Sequence, residues 1–128
     1  MAVTKILARK GGLNGAINYI LNGDKTEEQT LVAAQYCSPE TAPEEMRRTK
    51  EQFHMTDGVQ YYHIIQSFAP GEVTPELALE IAQAFVREHL WEYEAVIGVH
   101  TDRAHVHAHI IFNSVRWDGT GKYHSNAK

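Results

Sequence analysis

The run HVHAHIIFN, residues 105–113, alternates polar and apolar side chains with a period of two, except that Ile111 is apolar on the polar face. Successive side chains of a β-strand point to opposite faces of its sheet, so this run predicts a strand. One face would carry His105, His107 and His109. The other face would carry Val106, Ala108, Ile110 and Phe112, which suit a core. The chain is therefore expected to build a sheet with imidazoles gathered on one face.

The remaining segments predict the element order β-α-β-α-β-α-β-β. This order indicates an α+β fold in the form of a two-layer sandwich. A mostly antiparallel five-stranded sheet would carry the helices on one face, and the strand-helix-strand units would allow some parallel pairing. The predicted strands cover residues 2–10, 30–38, 59–68, 93–100 and 105–115, and the predicted helices cover 13–23, 41–53 and 74–90.

Composition restricts the classes of protein that remain. A chain of 128 residues without repeats or a long linker predicts a single domain, residues 1–128. The one cysteine, Cys37, excludes an internal disulfide, and we find no signal peptide and no membrane span, so cytoplasm is expected. The net charge of −4 gives no general reason for nucleic-acid binding, which must rest on a local site. One segment, TKILARK, carries Lys5, Arg9 and Lys10 without an acid.

The histidine cluster suggests a metal site. If residues 101–104 form a tight turn, His100 ends the preceding strand and can reach toward His107. Three imidazoles could then meet at one divalent ion and leave positions open for a substrate. Asp102 in the turn could hydrogen-bond a ligand imidazole. The alternative is a polar strand face whose histidines bind nothing.

The first predicted helix presents one tyrosine to solvent. Apolar residues recur there at helical spacing, and Tyr19 lies opposite that stripe. It is either an ordinary surface tyrosine or a group held for chemistry. The stripe consists of Leu13, Ala16, Ile17, Ile20 and Leu21.

Three motifs, taken together, resemble conjugative relaxases and mobilisation proteins of the HUH endonuclease superfamily. HTDRAHVHAHIIFN is similar to the third relaxase motif, which spans His100 to Asn113 and includes Asp102 and the pair His107-x-His109. INYILNGDKT resembles the first motif, whose helix presents the nucleophilic tyrosine, here Tyr19. QSFAPGE resembles the second motif, with Ser67.

The resemblance implies a relaxase-like palm that nicks one DNA strand at an origin of transfer. The tyrosine would join the 5′ phosphate as a phosphotyrosyl intermediate, and the reverse reaction would rejoin the strand. A divalent ion would be held by His100, His107 and His109, with Mn²⁺ or Mg²⁺ favoured and Zn²⁺, Ni²⁺ or Co²⁺ as alternatives. The implied partners are single-stranded origin DNA, an accessory relaxosome protein and a coupling protein, without membrane insertion.

Other residues are expected to act around this centre. Spacing alone also permits His105 and His107 as the ligand pair, whereas the resemblance favours His105 beside the ion, near the phosphate or a general-base path. Asp102 is a base or, in our preferred reading, an orienter of the imidazoles. Asn113 contacts DNA or completes the hydrogen bonding of its strand. The other expected DNA contacts are Lys25, Thr26 and Ser67. The remaining histidines, His54, His63, His89 and His124, are given no role.

Two other functions remain open at this point. One is a metal-dependent phosphoesterase in which water attacks and Tyr19 is incidental. The other is a non-catalytic module that binds origin DNA. The chain is short for a relaxase domain, so we expect it to be the N-terminal part of a longer protein.

Overall fold

The computed structural model describes residues 3–27, 29–102 and 104–124. Within these residues, the elements follow the predicted order. The helices are α1 (Leu13–Ile20), α2 (Ala42–Gln52) and α3 (Pro75–His89). The strands are β1 (Val3–Arg9), β2 (Val32–Gln35), β3 (Tyr61–Phe68), β4 (Tyr93–His100) and β5 (Val106–Arg116).

The strands form one five-stranded sheet in the order β1-β3-β5-β4-β2, and every pairing among them is antiparallel. The α+β class and the antiparallel sheet are therefore confirmed. The parallel pairing that the sequence allowed does not occur between these strands. The histidine strand β5 lies at the centre, between β3 and β4.

Helices cover both faces of the sheet, so the expectation that they all lie on one face is wrong. Helix α3 packs on the face that carries Ala108, Ile110 and Phe112. Helices α1 and α2 pack on the opposite face, against Val96 and Ile111. The reason is visible in β4, whose eight residues are all buried because both of its faces meet helices.

The helices follow their amphipathic patterns. In α1, Ile17 and Ile20 are buried and Tyr19 is exposed, as the apolar stripe predicts. Helix α3 begins after Thr74, whose hydroxyl oxygen accepts a hydrogen bond from the Leu77 N–H at 3.1 Å. Across the described residues, no helix combines the length and apolar character needed to cross a bilayer.

Candidate active site

Helix α1 holds Tyr19 above the histidine face of the sheet. Its side chain is 48% exposed, whereas Ile17 and Ile20 of the same helix are buried. The Tyr19 and His100 rings meet edge-to-face with their centroids 5.1 Å apart, and the His109 ring is 5.8 Å away. The predicted nucleophile therefore lies over two of the three predicted metal ligands.

This position depends on a close approach between α1 and the sheet. A β-carbon built on Gly98 would overlap the carbonyl oxygen of Ile20, so a side chain there would push the end of the helix away. Gly98 is also the direct cross-strand partner of His109. The glycine thus sets how near the helix that carries Tyr19 can come to the histidines.

Strands β4 and β5 bring the three predicted ligands together. His100 and His107 are direct cross-strand partners, and His109 lies two residues beyond His107 on the same face. The ring centroids of His100 and His109 are 4.2 Å apart, and those of His107 and His109 are 6.3 Å apart. His100 and His109 are almost fully buried.

A pocket of about 340 Å³ opens beside these rings. Its wall brings together most of the predicted site residues with three residues of β1 and β3 for which the sequence predicted no role in the site. The predicted residues are Tyr19, Ser67, His100, Asp102, His107 and His109, and the unassigned ones are Val3, Lys5 and Ile65.

Hydrogen bonds determine which ring nitrogens are available. Nε2 of His100 lies 3.1 Å from the carbonyl oxygen of Ile20. A carbonyl oxygen can only accept, so Nε2 carries the hydrogen and, in the neutral ring, Nδ1 keeps its lone pair. Nδ1 of His109 lies 2.9 Å from Nε2 of His63 on β3. These contacts leave Nδ1 of His100 and Nε2 of His109 for other partners.

Burial favours the neutral form of these imidazoles. Desolvation lowers the pKa of His109 to about 3 and that of His63 to about 4. It also lowers the pKa of His100 below its ordinary value, against a smaller opposing effect of the bond to Ile20. Neutral imidazoles present a lone pair, which is the form that binds a metal ion.

The side chains that line this pocket are of a type that binds divalent ions. Three imidazoles line one pocket, and imidazole suits divalent metals such as Zn, Fe and Ni. As the side chains stand, no three His, Cys, Asp or Glu residues in 3–27, 29–102 and 104–124 are gathered to hold an ion. His100 and His107 are direct cross-strand partners, a relation in which Cβ atoms lie about 4.5–5.5 Å apart, and His109 follows on the same face.

Asp102 is directed toward a lysine. Its Oδ2 lies 2.8 Å from Nζ of Lys25, and this hydrogen bond holds the pKa of Asp102 below its ordinary value. Nζ of Lys25 is also 5.6 Å from the centroid of the Tyr19 ring. The ion pair therefore joins the segment after α1 to the segment after β4, beside the tyrosine.

Two expected DNA contacts are corrected by their burial. Thr26 and Asn113 are 0% exposed, and their polar atoms bond within the protein. The Thr26 hydroxyl donates to the Asn22 carbonyl. The Asn113 amide accepts from Lys50 at 2.8 Å and donates to Glu94 at 2.9 Å. Neither side chain has surface to offer DNA, and Asn113 completes hydrogen bonds beneath α2.

His105 lies just before β5 and outside the pocket wall. It is exposed, and its Nδ1 donates to the Phe68 carbonyl at 3.1 Å. Its ring centroid is 6.3 Å from that of His107. His105 is therefore two residues before the nearest predicted ligand, His107, and just before the start of the same strand. Arg103, which falls in the turn predicted from the sequence, is outside the described residues.

Two residues with no assigned role contact this site. His63 and Lys5 belong to β3 and β1, which precede the histidine strand by more than thirty residues in the chain. The spacing of Ser67 and His63 within one predicted strand was an available signal, because residues four apart share a face. The sequence does not indicate that β3 pairs with β5, and this pairing is what brings His63 next to His109.

Comparison with known proteins identifies what this chain is similar to. The family model for the relaxase MobA/VirD2-like nuclease domain matches residues 19–128. Two Staphylococcus aureus proteins named "Protein rlx" are 36% identical over 132 residues and 35% identical over 126 residues. They cover 100% and 98% of this chain, which spans 39% and 38% of their lengths. A group II intron-interrupted relaxase LtrB of Lactococcus lactis is 44% identical over 71 residues, which are 54% of this chain and 13% of that protein.

Proposed function

This chain belongs to the family of MobA/VirD2-like relaxase nuclease domains, and from that membership we propose that it nicks one strand of DNA at an origin of transfer. Tyr19 is the nucleophile and becomes joined to the 5′ phosphate. The same site rejoins the strand in the reverse reaction. Residues 1–128 act as one catalytic domain in this proposal.

The observation that carries the proposal is the position of Tyr19 over the histidines. Its ring contacts those of His100 and His109, and all three side chains line one pocket. A phosphate that entered this pocket would meet the phenol and the imidazoles together. An exposed tyrosine without a catalytic role would need neither of those contacts.

We assign a divalent ion, Mn²⁺ or Mg²⁺ with Zn²⁺, Ni²⁺ or Co²⁺ as alternatives, to His100, His107 and His109. Bound there, the ion would withdraw electron density from the scissile phosphate and offset the charge of the transition state. Because the three ligands are neutral, they would leave its charge undiminished. Burial of His100 and His109 supports this assignment by favouring their unprotonated form.

The proposed step exchanges one phosphorus–oxygen bond for another. The phenolic oxygen of Tyr19 forms a bond to phosphorus as its proton passes to water, and the bond from phosphorus to the 3′ oxygen breaks. The 3′ oxygen takes up a proton and departs as a hydroxyl group. Lys25, whose Nζ lies 5.6 Å from the centroid of the Tyr19 ring, would contact a phosphate oxygen beside the phenol, and Asp102 would hold Lys25 in place.

The phosphate backbone would run over the part of the sheet that α1 leaves open. Lys5 and Ser67 line the pocket. Arg9 lies on the same face of β1 as Lys5, four residues further along an exposed strand. These groups would supply the local positive charge that the chain lacks as a whole. His105, next to His107, would contact a phosphate beside the scissile one.

The setting of the reaction is also part of the proposal. Single-stranded origin DNA is the substrate, and an accessory relaxosome protein and a coupling protein are the expected partners in conjugative transfer or mobilisation. Cytoplasm is the expected compartment. These partners come from the family resemblance alone.

Product analysis separates the proposal from its two alternatives. The protein is incubated with labelled single-stranded origin oligonucleotides in Mn²⁺ and in chelator, and products are resolved on a denaturing gel. We expect a metal-dependent band in which protein and DNA migrate together. Free cleaved DNA without that band would support the phosphoesterase. Bound but uncut DNA would support the binding module.

A further inference from the structure

We propose that His63 is a positioning residue that fixes the tautomer of His109, so that Nε2 of His109 is the nitrogen offered to the divalent ion. This inference rests on the proposed metal site. It adds a residue of β3 to a proposed metal site whose three ligands lie on β4 and β5.

The sheet places the two histidines side by side. Ile65 pairs with His109 and His63 pairs with Ile111 across β3 and β5. His63 and His109 are therefore diagonal neighbours on one face. Nε2 of His63 lies 2.9 Å from Nδ1 of His109, and their ring centroids are 5.1 Å apart. This distance is that of a direct hydrogen bond.

A hydrogen bond between two neutral imidazoles has two possible directions. If His109 donates from Nδ1, its Nε2 keeps a lone pair and can bind a cation. If His63 donates from Nε2, His109 carries its own hydrogen on Nε2 and cannot bind through that atom. Only the first direction is compatible with His109 as a metal ligand through Nε2. His63 then holds its hydrogen on Nδ1 and acts as the acceptor.

A metal-binding histidine almost always donates its second N–H to an acceptor, which fixes the ring and raises its basicity. At His100 the acceptor is the carbonyl oxygen of Ile20. The nearby carboxylate, Asp102, is bonded to Lys25. At His109 the acceptor is the imidazole of His63. It stands where other metal-binding histidines have a carboxylate or a backbone carbonyl group.

The first test reads the tautomer without any metal. Nitrogen-15 spectra of the metal-free protein near pH 7 report which nitrogen of His109 carries hydrogen. We expect hydrogen on Nδ1 in the wild type. In His63→Leu we expect both tautomers, because the acceptor is gone. His63→Gln keeps an acceptor oxygen and is expected to restore the wild-type spectrum. His89→Leu, on the far side of the sheet, is the control.

The second test reads metal affinity by calorimetric titration with Mn²⁺. We expect His63→Leu to weaken binding by about 10- to 100-fold and His63→Gln to recover most of it. Circular dichroism first establishes that each variant is folded. Hydrogen on Nε2 of His109 in the wild type, or an unchanged tautomer in His63→Leu, would overturn the inference. If the wild type binds no Mn²⁺ while His109 carries hydrogen on Nδ1, the proposed metal site fails and the role of His63 is reduced to orienting the ring.

Discussion

Nε2 of His100 lies 3.1 Å from the carbonyl oxygen of Ile20, the last residue of the helix that presents Tyr19. The bond links a predicted metal ligand to the backbone that carries the predicted nucleophile. A shift of α1 would therefore disturb both groups together. This coupling makes the contact between α1 and β4 a target for mutation.

Gly98→Ala is predicted to separate Tyr19 from the histidines. The new methyl group would overlap the Ile20 carbonyl oxygen, so α1 must move or β4 must bend. We expect a loss of about 1–3 kcal/mol in the free energy of unfolding and a lower yield of covalent product. Urea denaturation and a gel assay measure these effects.

Gly15→Ala is the matched control for that variant. Gly15 lies on α1, and a β-carbon there meets no other atom within 4 Å. Helix propensity predicts a gain of about 0.5–1 kcal/mol with product formation retained. If Gly98→Ala behaved like Gly15→Ala, close contact between α1 and β4 would be unnecessary for the site.

Replacing Lys5 and Arg9 by glutamine is predicted to weaken binding of single-stranded DNA. Each lost phosphate contact should reduce the slope of log affinity against log salt concentration by about 0.7. Fluorescence anisotropy at several salt concentrations measures this slope. Arg87→Gln, on α3 at the opposite face, should leave it unchanged. Equal slopes in both variants would remove β1 from the DNA path.

Asn113→Ala is predicted to destabilise the fold without a specific effect on DNA. The substitution removes one hydrogen bond each from Lys50, Glu94 and the Met46 carbonyl in a buried cluster, at a cost of about 1–3 kcal/mol in unfolding free energy. Asn18→Ala on the exposed side of α1 is the control. A stable variant with strongly reduced DNA affinity would instead make Asn113 a DNA contact.

The metal-free protein is predicted to lose stability as pH falls below about 6.5. Histidine in the unfolded chain titrates near 6.5, whereas burial lowers the pKa of His109 to about 3. Between these values the unfolded state binds more protons, so the unfolding free energy rises with pH. The contribution of His109 to the unfolding free energy is complete above about pH 6.5 and declines as the pH falls toward about 3.

His109→Gln removes the titrating group and should flatten this dependence. Urea denaturation in chelator at several pH values between 4.5 and 7 compares the slopes. His89→Gln on α3 should keep the wild-type slope. If His109→Gln and the wild type changed in parallel, His109 would titrate alike in the folded and unfolded states.

Local patterns in the sequence predicted much of this arrangement. The alternation in residues 105–113 gave the strand and the shared face of His107 and His109, and the turn brought His100 opposite His107. The apolar stripe of α1 put Tyr19 on the solvent side. Each of these inferences depends on neighbours within one element or one hairpin.

Non-local pairing accounts for what the sequence did not reveal. His63 and Lys5 reach the site because β3 and β1 add to the edge of β5 in that order. The burial of Thr26 and Asn113 depends on packing that no motif encodes. The helices occupy both faces because the residues of β4 are buried on both sides of the sheet. The alternating pattern of β5 does not indicate this.

The most direct test of the central claim locates the attachment of DNA by mass spectrometry. The protein reacts with single-stranded origin oligonucleotides in Mn²⁺, with chelator as control, and is then digested with protease. We predict a nucleotide joined through its 5′ phosphate to the oxygen of Tyr19, in a reaction that requires the metal. The adduct should be absent in Tyr19→Phe and present in the control Tyr36→Phe. Attachment to another residue, or an adduct that persists in Tyr19→Phe, would contradict the account.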